Sequence, residues 1–328
     1  MNPTQETRTV LVTSRSFSSG TLNLVQQLQE SGLHVVRAAT DHDPEALRQP
    51  LLHAVAWIAG TAPITVQHFA MAPHLRVIAR YGVGIDVVDL AAARAAEVVV
   101  TNTPGANSDA VAEHAISLLM ATLRAIPSGN ARVRCGDWSV TRGRQLAGSV
   151  AGVVGFGRIG HGVATRLRSL GCQVLVHDPF VSDRVIRDAE FDPASLESIR
   201  ELADVVSLHT PGGRIIVNTE WTATAKCGQL IVNTARADLV DEDAVAAALR
   251  SGRLSAFAAD TLAHEGAGTP SPLLATDLAD RVVITPHLGA QTVEAVDRMG
   301  FLVVRAVIDV LAGRPPQHPV ALPEVEHS

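Results

Sequence analysis

The sequence has few aromatic residues and almost no lysine. Phenylalanine, tryptophan and tyrosine make up 3% of the 328 residues, and 26 of the 27 basic residues are arginines spread along the chain. Proteins that bind single-stranded nucleic acid commonly stack its bases on aromatic side chains, and duplex-binding proteins carry clustered positive charge. The sequence shows neither feature, so we expect no nucleic-acid partner.

Long apolar runs and paired cysteines are also missing. Apolar stretches such as Val150–Val154 are far shorter than the ~20 residues of a membrane-spanning helix. Residues Met1–Arg8 are polar, unlike a secretory signal. The three cysteines, Cys135, Cys172 and Cys227, form no CxxC motif and cannot all pair, which favours a reducing compartment. We therefore expect a cytoplasmic protein without a membrane partner.

Short β-branched segments alternate with helical periodicity along most of the chain. Continuous apolar strands joined by helices indicate parallel sheets covered on both faces, so the predicted fold class is α/β. The predicted strands are Thr9–Thr13, His34–Arg37, Val55–Ile58, Leu75–Ala79, Val98–Val100, Val150–Val154, Gln173–His177, Val205–Leu208, Gln229–Asn233, Ala256–Ala259 and Val282–Ile284. The predicted helices between them include Leu22–Glu30, Pro44–Leu52, Ile159–Leu170, Ala194–Ala203 and Glu242–Arg250.

The strand pattern restarts at Val150, which indicates a second sheet, and the length also suggests about two domains. Two long helical segments, Ser108–Arg124 and Thr292–Leu311, have no strand beside them. We interpret both as connections between the domains.

A glycine-rich turn follows the strand Val150–Val154. Gly155 permits a tight turn, Gly157 lets the backbone approach a pyrophosphate, and Gly160 lets helix and strand pack closely. The N–H groups at the start of the following helix then bind the anion. Asp178 ends the next strand, near the offset at which a carboxylate accepts hydrogen bonds from an adenosine ribose. Because a carboxylate repels a 2′-phosphate, the pattern predicts NAD rather than NADP.

Further motifs continue along the chain in a recognisable order. They are Arg80–Asp86 (RYGVGID), Asn102–Ser108 (NTPGANS), Ala112–His114 (AEH), the glycine turn, His209–Pro211 (HTP), Asn233–Arg236 (NTAR), Leu239–Asp241 (LVD), Ala259–Asp260 (AD) and Pro286–Ala290 (PHLGA). From about Val55 to Pro316 the chain resembles the D-isomer-specific 2-hydroxyacid dehydrogenases, in their phosphoglycerate-dehydrogenase-like branch.

The resemblance implies a discontinuous architecture. A larger Rossmann-type nucleotide-binding domain, residues 104–288, is expected to be inserted into a flavodoxin-like substrate domain, residues 1–103 and 289–328. It also implies a homodimer, an active site in the cleft between the domains, and hydride transfer between NAD and a small (D)-2-hydroxy acid or 2-keto acid.

The resemblance assigns catalysis to Arg236, Glu265 and His287. A histidine suits proton transfer to a carbonyl because its pKa lies near neutrality. Glu265 would stabilise the imidazolium, and Arg236 would bind the substrate carboxylate with its planar set of donors.

The remaining site residues also follow from the resemblance. The backbone N–H groups of Val83 and Gly84 would complete the substrate-carboxylate site. The expected cofactor-binding residues are Gly155, Gly157, Arg158, Ile159, Gly160, Asp178, Thr210, Pro211, Thr234, Ala235, Asp260 and His287. No metal site is predicted, because the sequence has no HExxH motif and no cysteine–histidine cluster.

The sequence departs from the family pattern at four places. The Pro211–Ile216 loop is about three residues shorter than in many relatives, and Ala237 and Asp238 replace a more usual glycine pair. Gly266 stands where proline is common. Ala59 stands where phosphoglycerate-using relatives carry an arginine, although Arg80 or Arg134 could compensate. The candidate substrates therefore include hydroxypyruvate and glyoxylate beside 3-phosphoglycerate.

Two other functions are compatible with the motifs. One is an NAD(H)-sensing regulator resembling the transcriptional corepressors of this fold, which can keep the same three catalytic residues. The other is a dehydrogenase for a different donor, such as phosphite.

Overall fold

The chain forms two parallel β-sheets with helices in their connections. The structure is a computed structural model that describes residues 8–263 and 270–323. In chain order, its strands and α-helices are β1 (Thr9–Val12), α1 (Leu24–Glu30), β2 (His34–Arg37), α2 (Pro44–His53), β3 (Ala54–Ala59), α3 (Val66–Ala70), β4 (Val77–Arg80), α4 (Leu90–Ala95), β5 (Val99–Thr101), α5 (Ser108–Leu123), α6 (Ile126–Arg134), β6 (Val150–Val154), α7 (Arg158–Ser169), β7 (Gln173–His177), α8 (Asp183–Asp188), β8 (Asp192–Pro193), α9 (Leu196–Leu202), β9 (Val205–Leu208), α10 (Thr219–Thr224), β10 (Gln229–Asn233), α11 (Glu242–Ser251), β11 (Leu254–Ala259), β12 (Val282–Ile284) and α12 (Val293–Leu311). Short 3₁₀ helices lie at Ala237–Leu239, Pro272–Leu274 and Thr276–Leu278.

The first compact unit comprises the described residues up to Asn107 and those from Gln291 onward. Its five strands lie in the order β2-β1-β3-β4-β5, and every neighbouring pair is parallel. This is the flavodoxin-like strand order. The strands bury continuous apolar segments, and Leu11, Trp57 and Ile78 are inaccessible to solvent in its core.

The second unit runs from Ser108 to Ala290. Its seven strands lie in the order β12-β11-β10-β9-β6-β7-β8, all in parallel pairs. The strand order reverses between β6 and β9, as in a Rossmann fold, where ligands bind beyond the carboxyl ends of the strands. Two apolar clusters, which include Val153 and Ile231, pack in its core. The predicted α/β class with two parallel sheets is confirmed.

The two units divide at residues 107/108 and 290/291, against predicted domain boundaries at 103/104 and 288/289. Helix α5 begins at the first of these divisions and belongs to the second unit, and α12 begins just after the second division and belongs to the first.

Several short elements are absent from the sequence prediction. Strand β8 has only two residues, one of them Pro193, so it carries no alternation of apolar and polar positions. Helix α6 buries none of its residues and therefore has no apolar stripe to reveal it. Among the described residues, no helix is long and apolar enough to cross a membrane.

Candidate functional site

The loops that follow six strands of the second unit meet at one edge of its sheet. Because the strands are parallel, their carboxyl ends lie side by side. Four backbone hydrogen bonds continue across this edge: from Gly155 to His177 (2.8 Å), from His209 to Val154 (2.7 Å), from Asp260 to Asn233 (3.0 Å) and from Thr285 to Ala259 (3.0 Å). The predicted cofactor-binding and catalytic residues of this unit that the structure describes therefore lie on or beside adjoining loops.

The glycine turn has the geometry that its sequence requires. Gly155 has a φ of +96°, and a Cβ there would lie 2.5 Å from the carbonyl oxygen of His209. A Cβ on Gly160 would collide with the Gly155 carbonyl, whereas a Cβ on Gly157 would meet nothing within 4 Å. Two glycines are thus imposed by packing, and the third faces open space where a ligand can approach the backbone.

Helix α7 begins at this turn with Arg158 and Ile159, directly after Gly157, and no side chain caps it. Its first N–H groups and the positive end of its dipole are available to an anion. The Asp178 carboxylate accepts hydrogen bonds from the N–H groups of Phe156 (2.7 Å) and Phe180 (2.9 Å). Asp178 is thereby fixed beside the turn, so the residues present fit a dinucleotide.

Thr210 and Pro211 follow β9 and are preceded by a histidine in an apolar setting. The Nε2 atom of His209 lies 2.8 Å from the Ser207 hydroxyl. Burial lowers the pKa of His209 to about 3, so the ring is neutral at physiological pH. His209 supports the turn rather than taking part in proton transfer.

Asn233 shapes the loop that ends at Arg236. Its side-chain amide donates to the Arg236 carbonyl (2.7 Å) and accepts from the Ala235 N–H (3.0 Å). The Arg236 guanidinium in turn donates to the Ala235 carbonyl (2.8 Å). The Thr234 side chain is buried at the same place. One buried amide, 1% exposed, therefore sets the course of the segment that carries the predicted substrate-binding arginine.

Asp260 holds the turn that carries His287. Its carboxylate accepts the N–H groups of Leu288 and Gly289, each at 2.7 Å. His287 itself has a φ of +55°, a left-handed conformation in which asparagine, aspartate and histidine are enriched among the residues other than glycine. The carboxylate thus holds the two residues that follow a left-handed histidine, which fixes the direction of the turn.

Two further side chains complete this network. The Thr285 hydroxyl donates to Asp260 at 2.5 Å, and the Nε2 atom of His114 lies 2.9 Å from that hydroxyl and 3.2 Å from the carboxylate. Burial by itself would raise the pKa of Asp260, but the hydrogen bonds from His114, Thr285 and the two N–H groups hold it below its ordinary value. Asp260 is therefore ionised at neutral pH.

The predicted substrate-carboxylate residues of the first unit, Val83 and Gly84, follow β4. Asn102 donates its amide to the Val83 carbonyl (2.8 Å), and the Thr103 N–H donates to Gly82 (3.0 Å). Val83 is 37% exposed. The loop is thus held through two of its carbonyl groups, and anion binding by the N–H groups of Val83 and Gly84 stays a prediction.

Ala59, the position at which some relatives carry arginine, is fully buried at the end of β3. The neighbouring Arg80 is 5% exposed and donates to the carbonyls of Ala59 (3.3 Å) and Tyr81 (2.8 Å). The guanidinium of Arg80 therefore ties the ends of β3 and β4 together. Arg134, the other candidate to compensate, lies exposed at the end of α6.

The structure describes all of the predicted site residues except Glu265, which lies outside the described residues together with Gly266. Sequence reasoning did not assign a role to Asn233, Thr285 or His114, although each lies in or beside a quoted motif. Their partners are set by the fold; His114, for example, meets a residue 146 positions later in the chain. Among the described residues, no group of three metal-ligating side chains occurs.

Comparisons with known proteins agree with this geometry. Residues 116–289 match the family model described as D-isomer specific 2-hydroxyacid dehydrogenase, NAD binding domain. The chain is 41% identical over 261 residues to a D-3-phosphoglycerate dehydrogenase of Mycobacterium tuberculosis, covering 78% of this chain and 49% of that protein. It is 31% identical over 309 residues to a D-3-phosphoglycerate dehydrogenase of Archaeoglobus fulgidus, covering 93% and 58%. The chain thus spans about half the length of the curated relatives it matches.

Solved structures match over nearly the whole chain. The TT0316 protein of Thermus thermophilus superposes with a TM-score of 0.85 at 35% identity, covering 95% of this chain and 100% of that one. A D-lactate dehydrogenase of Aquifex aeolicus, complexed with NAD and lactic acid, gives 0.84 at 25% identity, covering 97% and 100%. The glycine turn, Asp178 and these matches identify NAD as the cofactor. The chain is a member of the D-isomer-specific 2-hydroxyacid dehydrogenase family.

Proposed function

We propose that this protein is an NAD-dependent oxidoreductase that interconverts a small (D)-2-hydroxy acid and the corresponding 2-keto acid. The observation that carries the proposal is the shared sheet edge of the second unit. There the uncapped start of α7, the Arg236 segment and the turn with His287 all follow carboxyl ends of parallel strands. A nucleotide-binding turn, a fixed cation and a proton-transfer group are the parts that such a reaction needs.

In the proposed reduction, the Arg236 guanidinium binds the keto-acid carboxylate with paired hydrogen bonds. His287 donates a proton to the carbonyl oxygen and removes it again in the reverse direction. Glu265, carried over from the family, stabilises the imidazolium. The family resemblance assigns carboxylate binding to the N–H groups of Val83 and Gly84 as well. When bound, NADH supplies the hydride that the carbonyl carbon receives.

The residues of the glycine turn support the choice of NAD. Gly157 leaves room at the backbone, and the carboxylate of Asp178 is held by two N–H groups. A fixed anion at that place accepts ribose hydroxyls and repels a 2′-phosphate. We therefore expect NADH to be preferred over NADPH.

The proposed substrates are 2-keto acids of the hydroxypyruvate, glyoxylate and 3-phosphohydroxypyruvate type. The buried Ala59 supplies no charge for a phosphate, and Arg80 is already bonded to two carbonyls. The test measures the oxidation of NADH, and separately of NADPH, from the decrease in absorbance with each of these keto acids. The proposal expects turnover of at least one of them and a clear preference for NADH.

The regulatory alternative has a distinct outcome in that assay. An NAD(H)-sensing regulator binds NADH tightly and leaves every keto acid at the background rate, and this result would refute the proposed activity. The two curated relatives and the Aquifex aeolicus protein named above are dehydrogenases, which favours the enzyme. The reverse assay with phosphite and NAD tests the other alternative donor.

We also propose that two copies of the chain form a homodimer. Helix α6 buries none of its residues, and the following segment exposes Trp138 (78%) and Val140 (94%). Exposed apolar residues of this size are typical of contact surfaces between subunits. Light scattering should give twice the chain mass for the wild type and a lower mass for the Trp138→Asp/Val140→Asp variant. A monomeric wild type would contradict the proposal.

A cytoplasmic location is proposed as well, supported by the free, exposed thiols of Cys135 and Cys227. Immunoblotting of cell fractions tests it, and recovery of the protein outside the cytoplasm would overturn it.

A further inference from the structure

Two of the departures from the family pattern contact each other in the folded chain. The shortened Pro211–Ile216 loop lies against the segment that follows Arg236. At its far end, the N–H groups of Ile216 and Val217 both donate to the Leu239 carbonyl, at 2.8 and 3.0 Å. The loop is therefore closed onto the segment that contains Asp238, the residue that replaces a more usual glycine.

The near end of the loop is closed by the side chain of Asp238. Its Oδ2 atom accepts the N–H of Gly213 at 2.6 Å. A Cβ added to Gly212 would lie 2.6 Å from Oδ1 and 2.8 Å from Oδ2 of the same carboxylate. Gly213 has a φ of +96°, which makes the close turn possible. The carboxylate thus fills the space beside Gly212 and binds the next N–H.

We propose that Asp238 is a positioning residue for the cofactor, and that its carboxylate closes the shortened loop directly after Thr210 and Pro211. The inference rests on the proposed function, which places the cofactor beside those two residues. Asp238 acts through the loop and touches no reacting group. Gly212, Gly213 and Asp238 then depend on one another. The Asp238 carboxylate fits only where residue 212 has no Cβ, and the N–H of Gly213 needs this carboxylate as its acceptor.

The physical reason lies in the length of the loop. The six residues Pro211–Ile216 have little room to satisfy their own backbone groups, and each buried N–H left without a partner costs stability. A carboxylate from the neighbouring segment supplies a strong acceptor without adding chain length. The same side chain joins the loop behind Pro211 to the segment that follows Arg236.

A double-mutant cycle on Gly212→Ala and Asp238→Ala tests the proposal. The equilibrium dissociation constant of NADH is measured by fluorescence titration, and the thermal midpoint of the protein without ligand is measured in parallel. We expect each single variant to raise the NADH dissociation constant by about tenfold. The double variant should be no weaker than Asp238→Ala alone, because the added methyl group then has no carboxylate to displace.

Conservative and control variants sharpen the cycle. Asp238→Asn keeps an oxygen that can accept the Gly213 N–H and should restore NADH binding to within about threefold of the wild type. Gly129→Ala, a glycine whose added Cβ would meet nothing, and Asp188→Ala, an exposed acid on α8, should leave NADH binding unchanged. The kcat of each variant at saturating NADH should stay within about threefold of the wild type, because Asp238 contributes to binding alone.

The outcomes separate this inference from the proposed function. Additive effects of the two substitutions, or an Asp238→Ala variant with wild-type NADH affinity, would overturn the role of Asp238. A wild type that binds NADH but reduces no keto acid would refute the proposed activity and leave the cycle on NADH affinity intact. Full additivity in the thermal midpoint would also contradict the contact itself, whatever the protein binds.

Discussion

Each unit has loops at the carboxyl edge of a parallel sheet. The two units differ in the side chains that hydrogen-bond these loops. In the second unit, side-chain carboxylate and amide oxygens accept hydrogen bonds from backbone N–H groups of the loops. Asp178, Asn233 and Asp260 each do so. In the first unit, two buried imidazoles join the loops that follow β1, β2 and β3, whereas the Asn102 amide holds the loop after β4. His42 and His68 are both 3% exposed.

The hydrogen bonds of the first unit define the protonation of its histidines. The Nδ1 of His42 lies 3.2 Å from the Pro63 carbonyl, so it carries the proton, and Nε2 accepts from the Thr13 hydroxyl at 2.7 Å. The His68 ring donates Nε2–H to the His42 carbonyl at 2.8 Å and accepts the Thr65 N–H at Nδ1, at 3.0 Å. Each ring therefore has one donor and one acceptor nitrogen, and burial lowers the pKa of His42 to about 4, so that ring is neutral at physiological pH.

Because the two units use different side chains, they should respond differently to pH and to substitution. Carboxylates and amides keep the loops of the second unit in place across the neutral range, so substitutions there should affect binding and turnover. In the first unit, His42 accepts the Thr13 hydroxyl only while its ring is neutral, so acid should lower the stability of that unit.

Replacing His287 should have the largest effect. His287→Ala removes the proposed proton donor and should lower kcat by about 10²–10⁴-fold while NADH binding stays near the wild-type value. His287→Asn, which tolerates the left-handed backbone, should be equally inactive and properly folded. His53→Ala, an exposed histidine on α2, serves as the control. Near-normal kcat/KM in either His287 variant would exclude the assigned role.

Arg236→Ala should chiefly remove affinity for the keto acid. Loss of a paired, charge-assisted contact is expected to raise KM for the keto acid and reduce kcat/KM by about 10²-fold or more. Arg236→Lys should recover little, because an ammonium cannot form the planar pair of bonds. Arg184→Ala, at an exposed site on α8, should match the wild type. Unchanged kcat/KM in Arg236→Ala would contradict the assignment.

Thr285→Val tests the network around Asp260. The change removes the donor at 2.5 Å and loosens the turn with His287, so kcat should fall by about tenfold while NADH affinity is retained. Thr224→Val, at an exposed threonine on α10, is the matched control. If NADH affinity falls and kcat does not, Asp260 serves the cofactor, as the family resemblance implies, rather than the His287 turn.

Acid should destabilise the first unit through His42. Burial lowers its pKa from 6.5 to about 4, so the unfolded chain binds the proton first. The contribution of this group is fully present above about pH 6.5 and is lost as the pH falls toward 4, by roughly 3 kcal/mol in all. In urea unfolding, His42→Asn should show a flatter decline of stability over this range than the wild type or His53→Asn. Parallel declines would refute the prediction.

The sequence predicts the fold class and most strands because short apolar, β-branched segments are typical of strands buried in a parallel sheet. Gln229–Asn233 is an example, with all five residues buried. It also predicts the glycine turn, since Gly155 and Gly160 leave no space for a Cβ. The resemblance adds Arg236 and His287, whose chemistry no local pattern reveals.

What the sequence does not predict depends on contacts between distant segments. Asp238 is separated by 25 residues from the N–H it accepts, and nothing in its neighbours indicates that partner. The acidic neighbours Asp41 and Asp43 suggest that His42 lies at the surface, but the folded chain buries it. Such partners follow from the order of the strands, which brings separate loops to one edge.

The central claim is that the glycine turn, Arg236 and His287 form one reaction site at the sheet edge of the second unit. It is tested most directly by a crystal structure with NADH and oxamate, a 2-keto acid analogue that accepts no hydride. The account predicts the pyrophosphate at Gly155–Gly160, with the Arg236 guanidinium and the His287 ring both within hydrogen-bond distance of the oxamate. Oxamate bound elsewhere, or a His287 ring turned away from it, would contradict the account.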